Sequence, residues 1–589
     1  MQTRLGLLLI ALFGALPYVS TIKLPPIATF WPEWVAVVLT GCWLAVQGRS
    51  SAPHVPNDER ATNVAGQAAL AVPIPVLGFL AACAVLLVQL LAHQPLFVGA
   101  PLIAVGVLTL AALMCLAGER VRASGDAARL LDAWSIGLLV AMALNLVAVL
   151  LDRAGLFVYV YQIVPRPTQL RADGLIGQPN QLATLAVLAT LAGDYLWMRG
   201  KLPAIGKLIL GAVVALVLAV AASRAGMLLW VLATVLSALA LRSHARRSAG
   251  RRLLAANVAL FVAIQVLWHF IGTVSPDAGG ARVLSAGSNQ ERIELLRDSW
   301  ALIQLHPFSG VGYGNFMAAR WNELTSSLLE PTSANAHNLV AQLLVEFGIP
   351  GAALVLIPMG WGVWRCAKAS LQRQVAPERF LAAAVVLVLA LYSMFEFPLW
   401  HTYFLLPFAL ALGLVEQRDL VLQVSAVTPS LRRLGWAMGV VLCVALAWDY
   451  HRSESLSSSL REQQSRRAAA AGIEIQKASD IALLSAFDQW ANLMYARTLD
   501  ADGSFVDHKL AVTERAMLTL TGRETIARHV AFLVAADQSA AARDLILRTR
   551  RTPGLERETR ATLDLLVPKI PALKAFVASL PAMPPPDAP

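Results

Sequence analysis

Four short polar motifs interrupt the apolar sequence, and their side chains are of types that bind anions or transfer protons. They are SRAG at 223–226, HN at 337–338, QPNQ at 178–181 and EFPLWH at 396–401. A guanidinium group can grip phosphate through two parallel hydrogen bonds. An imidazole with a pKa near neutrality can take a proton from a hydroxyl group. These types indicate binding of a phosphorylated group and activation of a hydroxyl.

Arg224 lies between two apolar runs, where a charge is costly unless it faces water or an anion. The alternative without a ligand is a side chain that snorkels from a helix end to the membrane interface. We favour phosphate binding, because the topology given below places Arg224 on the side of the membrane that basic residues avoid. Arg292, on an amphipathic segment at 289–304, is the preferred second anion ligand.

His337 and Asn338 stand where a long loop enters an apolar stretch, so a proton acceptor and a simple helix cap are equally good interpretations. Glu346 follows nine residues later. On a helix it would lie roughly 13 Å deeper and on the opposite face, so it cannot pair with His337. Pro350 would also remove the helical donor to the Glu346 carbonyl. A structural role in a kink or an interhelical hydrogen bond is the better prediction.

The other two motifs carry amides, a carboxylate and an imidazole. Gln178 and Asn180 could bind sugar hydroxyls or phosphate, although a helix cap at Asn180 explains the motif at least as well. Glu396 and His401 could orient a sugar, or simply form a well-packed turn.

The elements that hold these motifs are predicted to be membrane helices. The 589 residues are 57% hydrophobic and only 14% charged, whereas soluble proteins carry roughly a quarter charged residues. Lipid-embedded backbone must satisfy its own hydrogen bonds, so the apolar stretches should be helices. About 13 candidate spans are predicted, at 4–20, 33–47, 70–91, 97–117, 131–151, 180–198, 204–222, 225–241, 253–274, 337–364, 380–397, 400–416 and 434–450.

The net charge of +11 is explained by basic residues in short loops, which orient membrane proteins with their positive side inside. With the N-terminus in the cytoplasm, four basic clusters all fall inside, and the four polar motifs all face the periplasm of a bacterial inner membrane. Nucleic acid is not expected as a partner. The clusters are Arg199, Lys201 and Lys207; Arg242, Arg246, Arg247, Arg251 and Arg252; Arg365, Lys368, Arg373 and Arg379; and Arg432 and Arg433.

Several other classes are disfavoured. The five cysteines lie within or beside apolar stretches, with no spacing typical of a zinc site. No P-loop, GxGxxG, HExxH or nucleophile elbow is visible. Asp500 and Asp502 form a DxD pair that occurs in metal-dependent glycosyltransferases, but a solvated turn is the preferred interpretation. No metal or other cofactor is expected.

The predicted fold is therefore all-α: a polytopic membrane bundle, a long periplasmic loop at 272–336, and a soluble helical domain at the C-terminus. The composition becomes charged and Ala-rich after about residue 453. We predict a membrane domain at 1–450 that includes the loop, and a periplasmic helical domain at 451–589.

The motifs together resemble the O-antigen ligase superfamily, and most closely its PglL-type protein O-oligosaccharyltransferases. The matching segments are SRAG, GLIGQPNQLA at 174–183, HPFSGVGYGNF at 306–316, AHNLVAQLLVEFGIPG at 336–351, FEFPLW at 395–400, and a first loop with Pro26, Phe30 and Glu33. The C-terminal helical region is what favours the protein-modifying branch over the lipopolysaccharide ligases.

The resemblance implies transfer of a glycan from undecaprenyl pyrophosphate to Ser or Thr hydroxyls of a pilin or another periplasmic protein, without metal or ATP. It implies His337 as the base for the acceptor hydroxyl, Arg224 as an anchor for the pyrophosphate, and Arg292 as a less certain second anchor. Ligation to lipid A core and O-antigen polymerisation are the nearest alternatives. A non-enzymatic transporter of lipid-linked glycan is the alternative of another class.

Overall fold

The structure is a computed structural model that describes residues 3–23, 26–50, 67–154, 156, 171–242, 244–274, 287–326, 328, 333–415, 419–425, 428–465 and 485–583. Within these ranges the chain forms 21 α-helices and two strands. The helices are α1 Arg4–Ala15, α2 Phe30–Ser50, α3 Pro75–Leu91, α4 Gly99–Ala123, α5 Ala127–Arg153, α6 Pro179–Met198, α7 Ala204–Ala221, α8 Arg224–Ala240, α9 Arg247–Val274, α10 Gly287–Leu305, α11 Phe316–Glu323, α12 Leu339–Ser370, α13 Pro377–Tyr392, α14 Thr402–Leu414, α15 Pro429–Ser465, α16 Asp488–Thr498, α17 Val506–Thr519, α18 Arg523–Ala535, α19 Ser539–Arg548, α20 Leu555–Asp564 and α21 Ala572–Ala578.

The predicted all-α, polytopic membrane architecture is confirmed. Each of the 13 predicted spans contains a helix. Among the described residues, six helices have the length and apolar composition needed to cross a bilayer, and four apolar helices are shorter. The six are Gly99–Ala123, Ala127–Arg153, Ala204–Ala221, Arg247–Phe270, Leu339–Ser370 and Ser430–Ser455, and the four are Arg4–Tyr18, Pro75–Leu91, Arg224–Ala240 and Thr402–Leu414.

Two local predictions were wrong. The segment 70–91 is not one helix, because β1 (Gln67–Pro73) pairs antiparallel with β2 (Asp419–Ser425), and α3 begins only at Pro75. Proline is favourable in the first turn of a helix, where no intrahelical donor is needed. Lys207 is not a loop cation. It is buried in α7 and forms an ion pair with Asp194 of α6.

The chain divides into two compact units, and the first comprises residues 1–82, 106–285 and 354–444. Its helices approach closely at glycines. A Cβ on Gly137 of α5 would lie 2.1 Å from the Ala11 carbonyl oxygen of α1, and one on Gly413 of α14 would lie 2.0 Å from the Cys115 carbonyl oxygen of α4. Between membrane helices the hydrophobic effect is weak, so such close backbone packing is a main source of stability.

The second unit comprises residues 83–105, 286–353 and 445–589. Its largest apolar core contains residues of α18, such as Ile526 and Phe532, together with Trp321 and Leu328 from the long loop. The C-terminal helices therefore share a core with loop residues. The proposed domain boundary at residue 451 separates groups that belong to one compact unit.

Arg551 fastens the loop residues to the C-terminal helices of this unit. Its guanidinium donates to the backbone carbonyls of Leu324 and Trp321 and lies 5.1 Å from the centre of the Trp321 ring, and its own carbonyl accepts from the Leu328 N–H. These contacts restrain the end of α11 and the residues that follow it.

We expect the Arg551→Gln variant to loosen α11, because two partly buried carbonyls lose their donor. The cost should be about 1–3 kcal/mol. Hydrogen–deuterium exchange should be faster in peptides that cover 316–324. Arg548→Gln is the matched control, because the Arg548 side chain forms an exposed ion pair with Asp544. Unchanged exchange in Arg551→Gln would show that the Arg551 hydrogen bonds do not stabilise α11.

Candidate functional site

The QPNQ motif begins α6, and its first glutamine is the helix cap. The Gln178 Oε1 accepts a hydrogen bond of 2.6 Å from the Gln181 backbone N–H, and Pro179 occupies the first turn. The alternative interpretation of this motif placed the helix cap at Asn180. The structure places it at Gln178. Because its side chain is not needed for capping, Asn180 is available for other contacts.

Asn180 joins three of the four motifs in one hydrogen-bonded cluster. Its Oδ1 accepts from the Arg171 Nη2 and from the Ser223 Oγ, both at 2.9 Å, and its Nδ2 donates to the Glu396 Oε1 at 2.9 Å. The Arg171 Nε also donates to the Ala221 carbonyl at 2.9 Å. We call Arg171, Asn180, Ser223 and Glu396 the amide cluster. All four belong to the first unit.

The SRAG motif forms the start of α8. Ala222 has a left-handed backbone with φ of 45° and Ser223 caps the helix by accepting from the Gly226 N–H at 3.0 Å. Gly226 is needed at its position, because a Cβ there would lie 2.5 Å from the Ala183 Cβ. Arg224 is therefore the first helical residue, half-buried, at the positive end of the helix dipole. Its chain neighbour Ser223 is a member of the amide cluster.

His401 belongs to a second set of contacts. This set includes Gln181, which follows Asn180 of the amide cluster in the sequence. The His401 Nδ1 is 3.0 Å from the Glu33 Oε1, and its Nε2 is 3.0 Å from the Gln181 Nε2. The Gln181 Oε1 accepts from the Tyr403 hydroxyl at 2.8 Å, which leaves the Gln181 amide nitrogen facing the imidazole. The His401 imidazole therefore bridges Glu33 and Gln181, and its tautomer sets which ring nitrogen donates.

His337 and Asn338 belong to the second unit. The Asn338 Oδ1 accepts from the Ala341 N–H at 3.0 Å, so Asn338 caps α12. His337, half-buried, has a left-handed backbone with φ of 50°. A non-glycine residue in this region is uncommon, and strained residues of this kind cluster at functional sites.

Glu346 has the predicted structural role at a break in α12. Its carboxylate accepts from the Gly314 N–H and from the Gln342 side chain, both at 2.9 Å. The backbone of Gly348 is non-helical, with φ of 68°. The carbonyl of Glu346, freed by Pro350, accepts from the Gln89 side chain at 2.7 Å and from the Gly312 N–H at 3.1 Å.

Three other charged residues, Arg292, Arg320 and Asp502, belong to the second unit. Arg292 is a half-buried residue of α10. Arg320 is only 1% exposed and forms an ion pair with Asp298 at 2.8 Å, so it holds the fold together. In the DxD pair, Asp502 hydrogen-bonds to Lys509, which holds the pKa of that carboxyl well below its usual range.

Sequence reasoning gave little weight to three residues that the structure brings into the site. Arg171 lies seven residues before QPNQ and belongs to none of the four motifs. Glu33 was named only for its place in the first loop, and Tyr403 was not considered. Arg171 and Glu33 are charges beside apolar stretches on the expected periplasmic side, and that feature could have identified them.

Comparisons with known proteins agree with this set of motifs. Residues 182–356 match the family described as O-Antigen ligase, and residues 380–559 match the family described as Virulence factor membrane-bound polymerase, C-terminal. The chain is also similar to the General O-oligosaccharyltransferase of Acinetobacter baylyi (strain ATCC 33305 / BD413 / ADP1), with 28% identity over 206 residues. That match covers 35% of this chain and 34% of the relative, so it spans about a third of each protein. These matches support the O-antigen ligase superfamily for this chain, with similarity to the PglL-type protein O-oligosaccharyltransferases.

Proposed function

We propose that this protein transfers a glycan from undecaprenyl pyrophosphate to Ser or Thr hydroxyls of periplasmic or pilus proteins. The observation that carries the proposal is the amide cluster, in which residues of three distant motifs hold one another beside Arg224. Four side chains in and next to the amide cluster would contact or position the lipid-linked glycan donor: Gln178, Asn180, Glu396 and His401. The active site would face the periplasm of the inner membrane.

The donor side of the reaction needs a binding site for a diphosphate. When the bond between the anomeric carbon and the pyrophosphate oxygen breaks, negative charge develops on that oxygen. Arg224, at the N-terminus of α8, combines a planar guanidinium with the positive end of the helix dipole, and both stabilise such charge. Arg292 remains the proposed second anchor.

The acceptor side needs a proton acceptor. In the proposed step, the hydroxyl oxygen attacks the anomeric carbon while the His337 imidazole takes the hydroxyl proton. The products are the glycosylated protein, undecaprenyl pyrophosphate and a protonated His337. Asn338, as the cap of α12, would fix the backbone at this point.

Reconstitution tests this proposal directly. The purified full-length chain would be mixed with an undecaprenyl-pyrophosphate-linked glycan and a pilin-type acceptor, and the acceptor would be examined by mass spectrometry. Glycan on Ser or Thr supports the proposal. Glycan that stays on its carrier while crossing the bilayer of a vesicle would support a transporter instead.

We expect the Arg224→Lys variant to transfer glycan about tenfold to a hundredfold more slowly, because lysine keeps the charge and loses the planar fork. Loss of one full donor to a developing oxyanion costs 10²–10³-fold. The rate with saturating donor measures this effect. Arg251→Lys is the control, since Arg251 is exposed at the start of α9. A normal rate in Arg224→Lys would argue against phosphate binding by this residue.

Ligation to lipid A core is the second candidate, because the matched family at 182–356 carries the description O-Antigen ligase. Deletion of the chain after residue 453 is a poor test, since Trp321 and Leu328 share a core with the C-terminal helices. A competition experiment is a better test, in which one reaction contains a protein acceptor, lipid A core and a labelled lipid-linked glycan. Accumulation of the labelled glycan on lipid A core would decide for ligation.

A further inference from the structure

The loop after α10 is attached to α12 at the break in that helix. The Ile349 N–H donates to the Pro307 carbonyl at 2.8 Å, and the Val311 N–H donates to the Val345 carbonyl at 2.9 Å. The backbones approach closely because Gly348 has no side chain; a Cβ there would lie 2.3 Å from the Phe308 carbonyl oxygen. Residues 307–311 therefore have a fixed position along α12.

This position is at the depth of lipid hydrocarbon. α12 is a candidate membrane span whose two parts meet at the break at Gly348, and the second part continues from Ile349 to Ser370. Trp364 and Lys368, which form a cation–π contact, mark one interface, as aromatic and basic residues commonly do. Ile349 lies roughly 22 Å before Trp364 along the helix, at about 1.5 Å per residue. Because the apolar layer is about 30 Å thick, Ile349 lies within it, below the opposite interface.

Phe308 is next to this point and is 79% exposed, and Leu305 at the end of α10 is also exposed. A large aromatic side chain at hydrocarbon depth is favourable only if lipid or another apolar group covers it. Ile349 is itself exposed, so Phe308 continues an apolar surface that α12 already presents to lipid.

α10 also exposes apolar side chains along one face. Its exposed Ile293, Leu296 and Trp300 recur at spacings of three and four, and thus lie on one face. Leu295 and Leu302 are buried in a local core with α11. The exposed Arg297 borders the apolar stripe. A helix with one apolar face, a tryptophan and a flanking basic residue is typical of one that lies in a membrane interface.

We propose that α10 and residues 305–308 form a membrane-inserted element, with α10 in the interface and Phe308 among the acyl chains of the leaflet on the His337 side. The occupant of this surface is bilayer lipid. Apolar continuity with the exposed face of α12 argues for lipid, because α12 already crosses the membrane.

Site-directed spin labelling of the full-length protein tests the proposal in vesicles of phosphatidylethanolamine and phosphatidylglycerol. The five native cysteines would first be replaced by alanine, and single Ile293→Cys, Trp300→Cys and Phe308→Cys variants would then be labelled. Molecular oxygen concentrates in the apolar layer and a water-soluble nickel chelate is excluded from it. Phe505→Cys is the matched control, because Phe505 is an 84% exposed aromatic residue at the start of α17.

We expect the ratio of oxygen to nickel accessibility to be severalfold higher at 293, 300 and 308 than at 505, and highest at 308. A ratio at 308 equal to that at 505 would overturn the proposal, because both sites would then be in water. Low accessibility to both reagents at 308 would also overturn it, because a protein partner would then cover the surface. A variant that fails to fold is replaced by Leu305→Cys, which reports on the same segment.

Discussion

The His337→Asn variant is expected to insert and accumulate normally while losing nearly all glycan transfer. Asparagine tolerates the left-handed backbone that His337 adopts, with φ of 50°, better than most residues do. The substitution therefore removes the imidazole with little added backbone strain. A positioned general base contributes about 10²–10⁴-fold to a rate, and the transfer assay on a protein acceptor should show a loss of that size.

Two further variants distinguish the effect of losing the imidazole from the effect of backbone strain. His337→Ala should lose the same activity and also some stability, because alanine is disfavoured at positive φ. His93→Asn is the matched control, since His93 is an exposed histidine whose φ of 54° is almost the same. The base assignment would be abandoned if His337→Asn transferred glycan at the normal rate.

Hydropathy alone could predict which segments are helical, because a chain in lipid must satisfy its backbone locally. It could not predict the start of α3. Residues 70–73 are as apolar as the helix that follows, yet they pair with β2, which is more than 300 residues away in the sequence. A strand partner at that distance leaves no mark in the local pattern of residues.

The break in α12 was partly predictable from single residues. Pro350 indicated that the Glu346 carbonyl would lose its helical donor. The groups that replace this donor, Gln89 and Gly312, come from other segments. Gly310 and Gly348 allow the loop to approach the helix, but their local sequence is also compatible with ordinary turns.

The polar motifs could be recognised individually, whereas their connections could not. The hydrogen bond from Asn180 to Glu396 joins residues 216 positions apart, and the contact between Glu33 and His401 spans 368 positions. Residue type indicates what a side chain can donate or accept. Which partner it meets depends on how the membrane helices pack, and this packing is set by close glycine contacts such as that of Gly226 with Ala183.

Asn180→Asp is expected to disrupt the amide cluster severely. Its Oδ1 could still accept from Arg171 and Ser223, but the amide donor to Glu396 becomes a second carboxylate oxygen. Glu396 is buried, so it would lose a hydrogen bond and gain a like charge at about 3 Å. We expect about 1–3 kcal/mol or more of destabilisation. A lower apparent melting temperature in detergent and a large loss of transfer would report it.

The double variant Asn180→Asp, Glu396→Gln should recover much of both losses. The new glutamine amide can donate to the new carboxylate, so the same hydrogen bond forms with donor and acceptor exchanged. Arg171 and Ser223 keep their acceptor, and the net charge of the cluster is unchanged. If Glu396 only orders α6 and the 393–401 turn, stability and transfer should recover together. If the Glu396 carboxylate also contacts the donor glycan, stability returns while transfer stays low. A double variant as unstable as Asn180→Asp would mean that the bond between Asn180 and Glu396 does not connect the motifs.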